Sequence, residues 1–168
     1  MNAARLTSIE QAVTTILDTI PGEIRLGVPL GLGKPNPFVN ALYRRVKQDG
    51  VRRLHIFTAL SLNKPQASSD LEARFLDPFV QRVFADYPDL DYVADLKNGT
   101  LPPNITVNEF FLKSGDWLHN ATAQQNYINS NYTHIARDMA GNGVNVLAQA
   151  VAAREDGGEL RLSLACNP

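Results

Sequence analysis

A loop rich in glycine and proline, Gly27 to Asn36, has the residue types best suited to binding a ligand. It follows a short apolar segment, Ile24 to Val28, and precedes a helix that begins at Asn36-Pro37. In open α/β sheets, ligands bind beyond the carboxyl ends of strands, where backbone N–H groups and a helix dipole attract anions. A tight strand-to-helix turn is the alternative interpretation. The candidate ligand-contacting residues of the loop are Gly31, Gly33, Lys34, Pro35 and Asn36.

Two familiar phosphate-binding motifs do not fit this loop. A P-loop needs four residues between its first glycine and Gly-Lys, followed by Ser or Thr. Here five residues separate Gly27 from Gly33, and Pro35 occupies the position of the hydroxyl residue. A dinucleotide fingerprint needs glycine at its sixth position, which is Asn36. The loop therefore predicts a ligand contact without specifying a nucleotide.

A second group of polar residues follows the apolar run Leu54 to Leu62. Such a continuous run is typical of a strand covered on both faces of a parallel sheet. Its carboxyl end would lie on the same edge as the glycine loop, so both segments are expected to line one crevice. The alternative is that these residues cap the following helix. The residues of this group are Thr58, Ser61, Asn63 and Lys64.

Other residues that carry chemistry form no catalytic pattern. Glu109 is interpreted as a solvated or salt-bridged carboxylate, and the alternative is a partly buried one with a raised pKa. The three histidines, His55, His119 and His134, lack metal-ligand spacing, so no metal site is expected. No Gly-x-Ser-x-Gly elbow is present, which disfavours a serine hydrolase. We therefore assign no catalytic residue.

The elements that position these residues follow from hydrophobic periodicity. A helix over 8–20, with Thr7 and Glu10 as a capping box, precedes strand 24–28. That strand, helix 36–49 and strand 54–62 predict a βαβ unit. An amphipathic helix after Asp70 carries an apolar stripe of Leu71, Phe75, Phe79, Val83 and Phe84. The pattern predicts an α/β fold with an open, mainly parallel sheet flanked by helices.

The second half of the chain is less regular. Residues 92–103 contain turn signals, and 105–111 predict a strand. Helices are expected over 116–125 and 133–141. Strands 144–153 and 160–165 predict a C-terminal hairpin, in which Leu160, Leu162 and Leu164 alternate towards one buried face.

Composition indicates one soluble domain. The chain has 168 residues, 20% of them charged, and a formal net charge of −1. This balance disfavours nucleic-acid and anionic-membrane partners. Cys166 is the single cysteine, so no intrachain disulfide can form, and no signal or membrane-spanning segment is expected. The cytoplasm is the expected compartment.

Several blocks resemble the amino-terminal part of acetyl-CoA hydrolases and family I coenzyme A transferases, in a bacterial branch. The longest block, LGVPLGLGKPNPFVNALY, contains the glycine loop. The resemblance covers nearly the whole chain in order, through the blocks 26–43, 58–62, 70–76, 101–111, 125–134 and 163–168.

The resemblance implies an enzyme of two similar α/β domains with its active site between them. Such enzymes transfer an acyl group or CoA between a thioester and a carboxylate or water, through a glutamate nucleophile. Because that glutamate belongs to the carboxyl-terminal half, residues 1–168 are expected to form a single, catalytically inactive amino-terminal domain. The resemblance places the loop from Gly31 to Asn36 in the acyl or carboxylate pocket, with Lys34 attracting a carboxylate. It implies no permanently bound cofactor.

Two other functions stay open. The chain could be a self-sufficient module that binds an anion or small ligand at the Gly31–Asn36 loop. It could also be the non-catalytic subunit of a split CoA transferase, whose partner chain supplies the glutamate. The expected partners are an acyl-CoA, a small carboxylate, a carboxyl-terminal domain or partner chain, and further copies of the chain in a homo-oligomer.

Overall fold

The computed structural model describes residues 5–164, so Cys166 lies outside the described residues. The elements in chain order are α1 (Ile9–Thr19), β1 (Ile24–Gly27), a 3₁₀ turn (Gly31–Gly33), α2 (Asn36–Asp49), β2 (Leu54–Thr58), α3 (Asp70–Phe84), α4 (Asp91–Asn98), β3 (Ile105–Glu109), α5 (Ala121–Gln125), α6 (Ile135–Gly141), β4 (Val146–Leu147), β5 (Ala152–Asp156) and β6 (Glu159–Ser163).

A parallel sheet in the order β3-β2-β1-β4 forms the centre of the molecule. Strands β5 and β6 form a separate antiparallel hairpin. The α/β fold with a parallel, helix-flanked sheet is thus confirmed. The predicted βαβ unit is β1-α2-β2, in which Ile24 pairs with Leu54 and Leu26 with Ile56.

The core forms because the central strands present one continuously apolar face, while Arg25 and His55 lie on the opposite face. Ile24, Leu26 and Ile56 have no exposed surface. Helices α1, α2 and α4 cover the sheet with one apolar stripe each, as their spacing requires. The apolar and aromatic side chains that these three helices bury are Val13, Val39, Leu42, Tyr43, Val46, Tyr92, Val93 and Leu96.

Local predictions differ from the structure in four places. The helix expected over 116–125 is confined to α5, Ala121–Gln125. The cap of α1 is Ser8, whose Oγ accepts from the Gln11 N–H at 3.1 Å, one residue later than the predicted Thr7. Residues 91–98 form α4, although the sequence indicated an irregular segment. Strand β2 ends at Thr58 rather than at residue 62 because the chain turns at Leu60, whose φ is +45°.

The carboxyl-terminal prediction is partly wrong. The hairpin with a turn at Gly157-Gly158 is present, but predicted strand 144–153 divides between β4 in the parallel sheet and β5 in the hairpin. The alternating row of the predicted strand 160–165 is not buried. No other element within residues 5–164 covers the hairpin, so its leucines are 53–63% exposed: Leu160, Leu162 and Leu164.

Gly27 is required at the end of β1 by close packing. A Cβ there would lie 2.7 Å from Leu147 Cδ2 and 3.0 Å from Val144 Cγ1, and would also meet Met139 Cε. The extra carbon would therefore have to displace side chains of α6 and β4. Position 27 therefore requires glycine for packing, whereas the sequence indicated only that Gly27 begins a loop.

We expect Gly27→Ala to lower the free energy of unfolding by about 1 to 2 kcal/mol, because overpacking forces neighbouring side chains to shift. Urea denaturation followed by circular dichroism measures this change. Gly22→Ala is the matched control, since a Cβ at Gly22 meets nothing within 4 Å. Equal stability of the two variants would contradict the packing argument.

Candidate functional site

An apolar cavity of about 440 Å³ lies at the carboxyl edge of the sheet. The strand order reverses between β1 and β4, and this switch point is where open α/β sheets bind ligands. Residues that follow β1 and β4 form two walls, and α6 with the residues after β3 forms the others. The lining residues are Gly27, Val28, Pro29, Leu30, Phe110, Tyr132, Ile135, Met139, Leu147, Ala148, Gln149 and Leu164.

Backbone hydrogen bonds fix the two strand ends that form the cavity walls. Ala148 N donates to Gly27 O at 3.0 Å, and Val28 N donates to Phe57 O at 3.0 Å. Because these groups are paired, the wall presents mainly apolar side chains. An acyl chain or another apolar group suits such a lining better than an anion does.

The glycine loop lies beside this cavity and packs inward. Gly31, Gly33, Lys34 and Asn36 are buried, whereas Leu32 is 62% exposed. Gly31 has a φ of +55°, which favours glycine, and its N–H donates to Leu60 O at 3.2 Å. The structure therefore brings the loop to the predicted sheet edge, but the cavity lining consists of Gly27 to Leu30 rather than residues 31–36.

Lys34 connects the glycine loop to the end of β2. Its side chain is 4% exposed, and its ammonium donates to the carbonyls of Ala59 and of Leu60, the latter at 3.2 Å. Burial lowers the pKa of Lys34 from 10.5 to about 7, and the nearby Glu109 carboxylate partly opposes this shift. A ligand carboxylate would have to compete with these carbonyls for the ammonium.

Glu109 ends β3 on the same edge and is also 4% exposed. Burial raises the pKa of its carboxyl group, whereas hydrogen bonds from Ser61 and the charge of Lys34 lower it. Oε2 accepts from Ser61 N at 3.3 Å, and Oε1 is buried without a hydrogen-bond partner. The interpretation of Glu109 as a solvated carboxylate is therefore wrong, and the alternative with a raised pKa is confirmed.

Thr58 and Ser61 link β2 to its neighbours. Thr58 is fully buried, and its hydroxyl donates to Pro29 O at 3.4 Å. Ser61 Oγ lies 2.5 Å from the hydroxyl of Tyr92, a buried residue of α4. The two predicted segments thus meet, as expected for one edge, although neither side chain lines the large cavity.

The start of α2 already uses its backbone donors. Phe38 N and Val39 N both donate to Pro35 O, at 2.9 and 3.0 Å, and Asn36 N donates to Lys34 O at 2.9 Å. Asn36 Nδ2 donates to Pro88 O at 2.8 Å, while its Oδ1 is buried without a partner. The helix N-terminus therefore offers few donors to an anion.

A smaller cleft of about 100 Å³ adjoins Ser61 on the other side of the sheet edge. Its lining includes Lys64, Lys97 and Lys113. Asn63 Oδ1 accepts from Leu90 N at 2.8 Å, and Lys64 N donates to Asp89 Oδ1 at 2.7 Å. These bonds attach the segment after β2 to the start of α4, and the cap of α3 is Ser69, so the alternative interpretation of these residues as caps of the following helix is wrong.

The histidines are not part of a metal-binding cluster among residues 5–164. His55 pairs through Nε2 with Asn108 Oδ1 between adjacent strands, and burial lowers its pKa. No group of three His, Cys, Asp or Glu side chains in this part of the chain could hold a metal ion. None of the described helices has the length and apolar character to cross a membrane.

Sequence reasoning missed the side chains from α6 that complete the cavity. Ile135 and Met139 are one helical turn apart, so their shared face was visible as a pattern. The pattern does not specify which strand that face packs against. The proximity of Lys34 to Glu109 was equally hidden, because 75 positions separate them in the sequence.

The fold and the cavity define an open α/β protein with an apolar cavity at its switch point. Comparisons with protein-family models, with curated proteins and with solved structures find no match for this chain. The geometry and the residues therefore carry the functional argument.

We expect Lys34→Met to lower the free energy of unfolding at neutral pH by about 2 to 3 kcal/mol, because the buried carbonyls of Ala59 and Leu60 lose their hydrogen-bond donor. Between pH 7 and 10.5 the unfolded lysine keeps a proton that the folded lysine releases. Stability of the unsubstituted protein should rise across this window, by at most about 1.4 kcal/mol per pH unit.

Urea denaturation at pH 7 and at higher pH measures the free energy of unfolding. The difference between the unsubstituted protein and Lys34→Met should widen as pH rises. Lys113→Met is the control, because Lys113 is 60% exposed and pairs only with Asp116 at 3.2 Å. Its effect should stay within about 0.5 kcal/mol. A constant gap between Lys34→Met and the unsubstituted protein would contradict the lowered pKa.

Proposed function

We propose that the chain is the amino-terminal α/β domain of an acyl-CoA hydrolase or CoA transferase that acts in the cytoplasm. The observation that carries the proposal is the apolar cavity of about 440 Å³ at the switch point. At roughly 30 Å³ per water molecule, this volume corresponds to about 15 waters and exceeds the needs of an acetyl group. The cavity therefore binds the acyl chain of a CoA thioester.

The loop and β2 residues form the rim of this acyl site. Gly31, Gly33, Pro35 and Asn36 hold the turn beside the cavity, and Thr58 and Ser61 fix the neighbouring strand end. Lys34 keeps both segments together through its bonds to Ala59 and Leu60. A small carboxylate acceptor at the rim draws on the charge of Lys34, at the expense of those bonds.

The anion-binding module has less support than the acyl site. Its donors, the N–H groups at the start of α2 and the Lys34 ammonium, already bond to protein carbonyls. The subunit of a split CoA transferase uses the same cavity. It differs only in the source of the catalytic glutamate, which a partner chain then provides.

The first prediction is that affinity for acyl-CoA rises with acyl length. Isothermal titration of the chain with acetyl-, butyryl- and hexanoyl-CoA should give an increase of roughly fourfold for each CH₂ that enters the cavity. Ala148→Trp should weaken hexanoyl-CoA binding by about tenfold or more, because the indole fills the cavity.

Ala136→Trp is the matched control, since Ala136 is an exposed residue of α6 outside the cavity lining. The affinity of Ala136→Trp for hexanoyl-CoA should equal that of the unsubstituted chain. The proposed acyl site would be contradicted if affinity did not change with acyl length. It would also be contradicted if the two tryptophan variants lowered the affinity equally.

The second prediction is that the chain alone does not turn over acetyl-CoA, because the nucleophilic glutamate lies elsewhere. Release of free CoA can be followed with a thiol reagent. Turnover that Glu109→Gln abolishes would contradict the proposal and would make Glu109 the reactive carboxylate. In a split enzyme, turnover should appear when a partner chain that carries the glutamate is added.

A further inference from the structure

Helix α3 carries a row of large apolar side chains that point into solvent. Leu71 is 77% exposed, Phe75 80%, Phe79 47% and Val83 56%. No residue of α3 is fully buried. The row is unusual because large side chains in a contiguous line are normally covered.

The exposed row is distinct from the face with which α3 contacts the domain. Ala73, Leu76, Val80 and Phe84 are half-buried, and Phe84 packs edge-to-face against Tyr87 with ring centroids 6.1 Å apart. At 100° per residue, the two rows together cover more than half of the circumference of the helix. A helix this apolar is covered on both sides in a stable protein.

The exposed row is self-complementary about Asp77. In an antiparallel pair of α3 helices related by a two-fold axis at Asp77, Leu71 faces Val83 of the second copy and Phe75 faces Phe79. A two-fold interface requires this reciprocity: if one residue contacts a second residue of the other copy, then the second residue contacts the first residue of that copy.

The spacing and the area of the row suit such a pair. Residues four apart form a ridge, and ridges of this type interdigitate in the commonest class of helix packing, at an angle of about 50°. The four side chains expose roughly 500 Å² per chain, so two copies would bury about 1,000 Å², the lower limit of a specific interface.

We infer that the α3 face formed by Leu71, Phe75, Phe79 and Val83 is a homodimer interface with antiparallel two-fold pairing. The dimer is of modest affinity, with a dissociation constant on the order of micromolar, because its area is small. The interface is independent of the acyl site, which lies at the carboxyl edge of the sheet.

Sedimentation velocity of the full chain from about 1 to about 100 µM tests the interface. The expected result is a monomer–dimer equilibrium that Phe75→Glu shifts to monomer. Leu160→Glu is the matched control, an exposed leucine on the hairpin that should leave the equilibrium unchanged. A chain that stays monomeric over this range, or a dimer that Phe75→Glu does not weaken, would overturn the inference.

Discussion

The buried amino group of Lys34 holds the carboxyl edge of this sheet together through its hydrogen bonds. Lys34 donates to the carbonyls at the end of β2, and its charge partly offsets the cost of burying Glu109 at the end of β3. One side chain thereby ties the loop after β1 to the two strands beside it. The positions of Pro29 and Leu30, and hence one wall of the cavity, depend on this connection, because a loop rich in glycine has little rigidity of its own.

The cavity exists because the chain returns to the sheet on the far side of β1. After β3 the polypeptide crosses through α5 and α6 and pairs β4 with β1, which reverses the strand order. The α6 side chains Ile135 and Met139 then face the residues after β1. A glycine at position 27 allows this approach, since any side chain there would meet Met139, Val144 and Leu147.

Two apolar surfaces lie outside the core, and sequence pattern alone could not place them there. The spacing of Leu71, Phe75, Phe79 and Val83 correctly indicated an amphipathic helix, and alternation correctly indicated a strand at Leu160 and Leu162. Periodicity reports which side chains share a face. It does not report whether another element of the same chain covers that face, and in the described part of this chain none does.

The sequence by itself determined the α/β class, the βαβ unit, the buried strands β1 and β2 and the position of the glycine loop at the sheet edge. These features follow from local spacing, turn residues and continuous apolar runs. Only the tertiary structure decided that Lys34 turns inward towards Glu109, that α6 and β4 enclose an apolar cavity, and that the α3 row faces solvent. Each of these depends on residues far apart in the chain, and the free energy of such contacts arises from burial and charge proximity, which local sequence does not encode.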